Sequence, residues 1–109
     1  PQIISNMEFH PSKVPTIKTF DVKDEKDAGT AAEEMVKLGF SNHKMGYRVL
    51  MPKEDKIAKR IGYIITTSIN YGLKQTNQER DLRYWTYHHD KDHFAIVLIS
   101  SKVFDELDF

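Results

Sequence analysis

The sequence predicts one small α+β domain with a four- or five-stranded mixed sheet and two helices on one face, in the element order β-α-β-α-β-β. Its 109 residues, of which 39% are apolar, are enough for one domain with a modest core. Two segments carry apolar residues at helical spacing, and each follows a short stretch rich in β-forming residues. No repeat or linker divides the chain, so residues 1–109 are predicted to be a single domain.

The first elements follow from proline and capping residues. Residues 1–15 are predicted to form an extended arm or an edge strand, because Pro11 and Pro15 cannot donate to a central ladder. Residues 16–22 are rich in β-formers and predict a strand. Asp24 then has the character of a helix N-cap, and Gly39 followed by Phe40 predicts the end of that helix. The apolar residues between these limits are mostly small, so this helix is expected to lie close to its sheet: Ala28, Ala31, Ala32, Met35 and Val36.

The second half is predicted to contain one long helix and a hairpin. Residues 47–51 predict a strand, and residues 53–71 predict a helix with one isoleucine-rich side that ends at Gly72. Residues 82–89 and 93–100 read as a hairpin, whose second arm is apolar on both faces and is therefore expected to be an inner strand. Residues 101–109 are an acidic tail, in which a short helix is expected to fold Phe104 and Leu107 back onto the sheet.

Composition excludes several classes of function. The absence of cysteine rules out disulfides, zinc–thiolate sites and cysteine nucleophiles. No apolar run reaches the roughly 18 residues of a membrane span, so we expect a soluble, cytoplasmic protein with no membrane partner. Net charge is zero overall, but it is +5 over residues 41–83, between acidic ends of −2 and −3. This polarity indicates steering of a partner rather than general binding of polyanions.

The outer side of the long helix is the first candidate binding surface. A basic start is followed by aromatic, hydroxyl and amide groups along one stripe, formed by Lys56, Lys59, Arg60, Tyr63, Thr67 and Asn70. Such a stripe suits an acidic protein or a phosphate backbone. The alternative is an ordinary solvated helix face.

The first hairpin arm is the second candidate. On a strand, Arg83, Trp85 and Tyr87 point to the same side, and Arg, Trp and Tyr dominate protein-interface hot spots and base-stacking platforms. The alternative is that these aromatic residues pack under a helix as part of the core.

The hairpin tip is the third candidate. His88, His89 and His93, together with Asp90 or Asp92, are the weak candidates for a divalent-metal site. The alternatives are an ordinary turn, which favours Asp, and a hairpin tip that responds to pH. No familiar catalytic or nucleotide-binding motif occurs, so we assign no catalytic residue and expect no cofactor.

These features rank three functions. The leading hypothesis is a small non-enzymatic regulator or inhibitor that binds another protein, with a homodimer as an additional expectation. The alternative is a nucleic-acid-binding module. It would use Lys53, Lys56, Lys59 and Arg60 for phosphates and Tyr84, Trp85 or Tyr87 for stacking. The third is a small metal- or histidine-dependent enzyme.

Overall fold

A computed structural model describes residues 9–41 and 45–107, and it confirms the predicted α+β fold with a four-stranded mixed sheet. The 3₁₀ turn Pro11–Lys13 precedes the first strand. The strands and helices are, in chain order, β1 (Thr16–Asp21), α1 (Glu25–Leu38), β2 (Gly46–Pro52), α2 (Asp55–Gln75), β3 (Leu82–His88), β4 (His93–Ser100) and the short α3 (Ser101–Glu106).

The strand order in the sheet is β1-β2-β4-β3. β1 and β2 are parallel, as expected for strands joined by the crossover helix α1, whereas β4 pairs antiparallel with both of its neighbours. The prediction of an inner strand is confirmed, because residues 95–100 of β4 are all buried. β1 and β3 are the two edges of the sheet.

The predicted limits of α1 are confirmed by its caps. The Asp24 side chain accepts a hydrogen bond from the Asp27 backbone N–H, and Gly39 adopts a φ of 84°, which favours glycine. The buried face of α1 is mainly alanine, but its backbone approaches α2 more closely than any strand, so the expected close approach to the sheet is wrong. Beyond the helix end, the hydroxyl of buried Tyr47 donates to the Gly39 carbonyl. Burial, and secondly the charge of Glu34, raise the pKa of Tyr47.

The predicted limits of α2 are wrong at both ends. The helix begins at Asp55 rather than residue 53, because the Glu54 side chain accepts from the first free N–H groups, at Lys56 and Ile57. At the other end the helix runs through Gly72 to Gln75. Gly72 is a packing residue, since a Cβ at this position would lie 2.8 Å from Cγ2 of Val36 on α1. The sequence predicts a helix stop at Gly72, but this glycine instead lets two helices approach.

In the described part of the chain, apolar side chains form two clusters, one on each face of the sheet. The main core lies between the sheet and the helices α1 and α2. The second lies on the opposite face, where Val14 and Val103 pack against Val97 and Ile99 of β4. This face is covered by the N-terminal residues 9–14 and by α3. Residues 1–15 are expected from the sequence to form an extended arm or an edge strand. Their described part instead contains a 3₁₀ turn and covers the sheet, and residues 1–8 lie outside the described ranges.

Candidate functional site: a groove between α2 and β3

The helix-side face of β3 is left uncovered. The buried side chains of α1 and α2 meet residues of β1, β2 and β4. Leu82 is the one residue of β3 that joins this core, and it is partly buried. Further along β3, the side chains of Tyr84, Thr86 and His88 are exposed. Two helices are too few to cover four strands, so a channel opens along the outer strand.

This channel, the α2–β3 groove, is made of two adjoining cavities. The larger, of about 400 Å³, has Lys59, Gly62 and Tyr63 on its α2 wall and Thr86 on its β3 wall; its floor is apolar, formed by Met51, Phe94 and Ile96. The smaller, of about 180 Å³, extends toward Asn70, Arg80 and Leu82. Thr66 and Tyr84 line both cavities, so the two form one continuous depression.

Two tyrosines stand on opposite walls of the groove. Tyr63 on α2 is 64% exposed and Tyr84 on β3 is 57% exposed, which makes them two of the three most exposed large apolar residues in the described chain. Tyrosine offers a broad apolar ring and a hydroxyl at low entropic cost, which is why it is frequent at binding hot spots. An apolar floor between exposed tyrosines suits an apolar guest with some polar groups.

The charged residues at the groove are predominantly cationic. Lys59 lies at one end of the groove, where Asp55 also lines the larger cavity, and Arg80 lies at the other end. Within the described ranges neither Lys59 nor Arg80 takes part in an ion pair, whereas Arg60 is held by Glu25 at 2.9 Å. An acidic guest would therefore find two uncommitted cations.

The structure divides the predicted stripe of α2 between several environments. Lys59 and Tyr63 line the larger cavity and Asn70 the smaller one, while Thr67 is exposed outside both. Lys56 and Arg60 lie on the other side, in a depression shared with the N-terminal end of α1.

The Arg83–Trp85–Tyr87 face of β3, the second candidate surface, is half-buried rather than exposed. The Trp85 ring lies 5.3 Å from that of Phe9 and 5.1 Å from that of Phe104 between centroids, so it packs beneath the N-terminal segment and α3. Arg83 forms an ion pair with Asp105 at 3.0 Å. The alternative, in which these aromatic residues pack under a helix, describes the structure.

Tyr87, the third residue of that face, belongs to a network centred on Arg48. The Tyr87 hydroxyl accepts a hydrogen bond from Arg48 Nε at 2.9 Å. The other Arg48 nitrogens donate to Thr16 Oγ1 and to the carbonyls of Ser12 and Val14. Arg48 therefore fastens the N-terminal segment over this face of the sheet.

The three histidines at the hairpin tip do not converge. His93 Nδ1 lies 2.9 Å from Asp90 Oδ1, His89 Nδ1 lies 3.2 Å from the Tyr87 hydroxyl, and His88 packs edge-on against Phe94. The pKa of Asp90 is lowered, first by the Asp92 backbone N–H and then by the His93 side chain. No group of three His, Cys, Asp or Glu residues in residues 9–41 and 45–107 is arranged to hold a metal ion.

Sequence reasoning missed Gly62, Thr86 and Arg80 as groove residues. Glycine and threonine carry no charge or aromatic signal, and Arg80 falls in a connection with no periodicity. Alternation along β3 assigns Thr86 to the face opposite Trp85, but it does not say which of the two faces is open.

Comparison with known proteins gives no family, relative or solved structure: no family model, curated protein or experimental structure matches this chain. Within the described residues, no helix has the length and apolarity needed to cross a membrane.

Proposed function

We propose that this chain is a non-enzymatic protein-binding module, acting as a regulator or inhibitor, that holds a short apolar segment of its partner in the α2–β3 groove. The observation that carries the proposal is the pair of exposed tyrosines, Tyr63 and Tyr84, facing each other across an apolar floor. An exposed apolar concavity of this kind on a small domain commonly marks an interaction site.

The charges favour an acidic partner segment. Lys59 and Arg80 flank the groove without ion pairs in the described chain, and the surrounding sequence from residue 41 to 83 carries a balance of +5. Cations at the rim of an apolar site raise the rate of encounter and select acidic partners. We therefore expect apolar side chains in the middle of the bound segment and Asp or Glu at its ends.

A random peptide library selected on the immobilised chain tests this proposal. Selected peptides should combine apolar residues with Asp or Glu. Tyr63→Ala should weaken their binding about tenfold or more, as expected for a central aromatic anchor. Lys59→Glu should weaken binding in a salt-dependent manner.

Two residues of the same helix provide matched controls. Tyr71 is 67% exposed but lines neither cavity of the groove, and Lys74 is exposed on the outer side of α2. Tyr71→Ala and Lys74→Glu should leave peptide binding unchanged. Failure to enrich any peptide, or equal binding by Tyr63→Ala and the unaltered chain, would refute the proposal.

Nucleic acid is the competing partner, with Tyr63 and Tyr84 as stacking residues in place of the covered Trp85. A fluorescently labelled single-stranded oligonucleotide, titrated at low salt, separates the two functions. Saturable binding that salt reverses steeply and that Lys59→Glu abolishes would overturn the protein-binding proposal in favour of this one. A flat titration agrees with protein binding.

A further inference from the structure

We propose that the free edge of β3 pairs antiparallel with β3 of a second copy of this chain, so that two four-stranded sheets become one continuous sheet. The β3 edge would then be the interface of the homodimer expected from the sequence. This pairing depends on the edge strand and does not depend on what the groove binds.

The backbone of β3 has a regular row of polar groups directed away from the sheet. Two hydrogen bonds mark the ends of the ladder between β3 and β4. The Ser101 N–H donates to the Asp81 carbonyl, and the His89 N–H donates to the His93 carbonyl. On the β3 strand, the residues bonded to β4 are therefore the odd-numbered ones. Hydrogen-bonded pairs alternate along an antiparallel ladder. The N–H and C=O groups of Tyr84 and Thr86 therefore point to the free edge, and within residues 9–41 and 45–107 no strand pairs with them.

This edge has few of the features that keep sheet edges from pairing, since its one permanently charged residue, Arg83, is paired with Asp105. The β3 segment contains no proline, lysine or glycine, and its register with β4 is unbroken from Leu82 to His88. The other edge of the same sheet differs: β1 follows Pro15, its register shifts between Thr16 and Lys18, and exposed Lys18 lies on the strand. Proline, lysine and irregular register are how proteins protect an edge. β1 is therefore better protected against pairing than β3.

The strand is complementary to itself in an antiparallel register. Pairing over the full length of β3 centres on Trp85 and sets Tyr84 opposite Thr86 of the second copy, with both residues using their free backbone groups. Arg83, the only permanently charged residue of the strand, falls opposite Tyr87 of the second copy. No like charges meet. Tyr84 meets a β-branched residue and Tyr87 a cationic one, which are favourable cross-strand pairs, and Trp85 meets its own counterpart at the two-fold axis.

A two-fold axis perpendicular to the sheet would place both α2 helices on the same side. The two α2–β3 grooves would then adjoin across the axis, with Tyr63 and Tyr84 of each copy lining one longer cleft. The dimer would therefore enlarge the binding site rather than block it.

Sedimentation velocity over a wide range of protein concentration is the first test. We expect the mass to rise from 12.7 kDa toward twice that value. A chain that remains monomeric at every concentration would overturn the inference.

Thr86→Lys and Thr19→Lys test where the interface lies. Both threonines are exposed on edge strands, Thr86 on β3 and Thr19 on β1. Thr86→Lys should weaken the dimer about tenfold or more, because it places an ammonium group in the new pairing, while Thr19→Lys should leave it unchanged. A dimer that is insensitive to Thr86→Lys, or equally sensitive to both variants, would contradict the assignment to β3.

Amide exchange of the unaltered chain gives a readout that needs no variant. The N–H of Thr86 faces the free edge, so its exchange should slow as the concentration rises and the dimer forms. The N–H of Trp85 faces β4 and should exchange slowly at every concentration. Tyr63→Ala should leave this pattern intact, so dimerisation and peptide binding fail or succeed separately. Fast exchange of Thr86 in a confirmed dimer would place the interface elsewhere.

Discussion

Two glycines of α2 should respond in opposite ways to the same substitution. Alanine favours a helix interior over glycine by about 0.8–1.0 kcal/mol. A Cβ at Gly62 would meet nothing within 4 Å, because this residue faces the α2–β3 groove. Gly62→Ala should therefore raise the free energy of unfolding by about 1 kcal/mol.

At Gly72 the same methyl group would lie 2.8 Å from Cγ2 and 3.2 Å from Cγ1 of Val36. Val36 is β-branched and fixed on α1, so the two helices would have to separate. Overpacking of this kind costs about 1–3 kcal/mol, which offsets or exceeds the gain in helix propensity. Gly72→Ala should lower the free energy of unfolding by between zero and about 2 kcal/mol relative to the unaltered chain. The Gly72→Ala variant should therefore be about 1–3 kcal/mol less stable than the Gly62→Ala variant.

Urea unfolding of the two variants measures this difference. Val36→Ala removes both methyl groups that the new Cβ would meet, so Gly72→Ala should become stabilising in that background. Equal stabilisation by Gly72→Ala and Gly62→Ala in the unaltered chain would refute the close packing of α1 against α2 at this point.

Three further predictions concern the fold that positions the groove. Asp24→Ala should lower the free energy of unfolding by about 1 kcal/mol in urea unfolding, because it removes the side-chain acceptor for the Asp27 N–H. Gly46→Ala should cost about 3 kcal/mol or more and reduce the melting temperature strongly, since its Cβ would collide with the Leu98 backbone carbonyl, which cannot move away within the sheet. The raised pKa of Tyr47 means that folding favours its neutral form. This contribution to stability is complete below the ordinary pKa near 10 and is lost as the pH rises above it. In Tyr47→Phe, the free energy of unfolding should therefore fall less steeply with pH in the alkaline range.

Local signals predicted α1 and β4 correctly because their determinants lie within the elements themselves. Asp24 and Gly39 mark the ends of α1 through their own backbone and side-chain preferences. The continuous apolar run of β4 indicates burial on both faces in any arrangement of the sheet. In these elements local preference and tertiary packing agree.

The errors arise where a residue's role depends on a distant neighbour. Gly72 has the local character of a helix stop, but its position is decided by Val36, 36 residues earlier in the chain. Trp85 is a residue type frequent in hot spots, but Phe9 and Phe104, which lie outside the hairpin, cover it. Neither contact produces a periodic pattern that could be recognised in a single sequence.

The same long-range packing explains why the candidate site lies on the helix-side face of β3. Residues 9–14 and α3 both pack on the opposite face, where Arg48 and the Arg83–Asp105 pair hold them over Trp85. With that face covered by residues 9–14 and α3, the described part of the chain leaves the helix side of β3 and its outer edge accessible. Because Tyr84 and Thr86 contribute side chains to the groove and backbone groups to the edge, one short segment connects both proposed interactions. A charge added at Thr86 changes both the edge and the groove wall, whereas truncation of Tyr63 changes only the groove, so loss of peptide binding with retention of the dimer in Tyr63→Ala separates the two uses of β3.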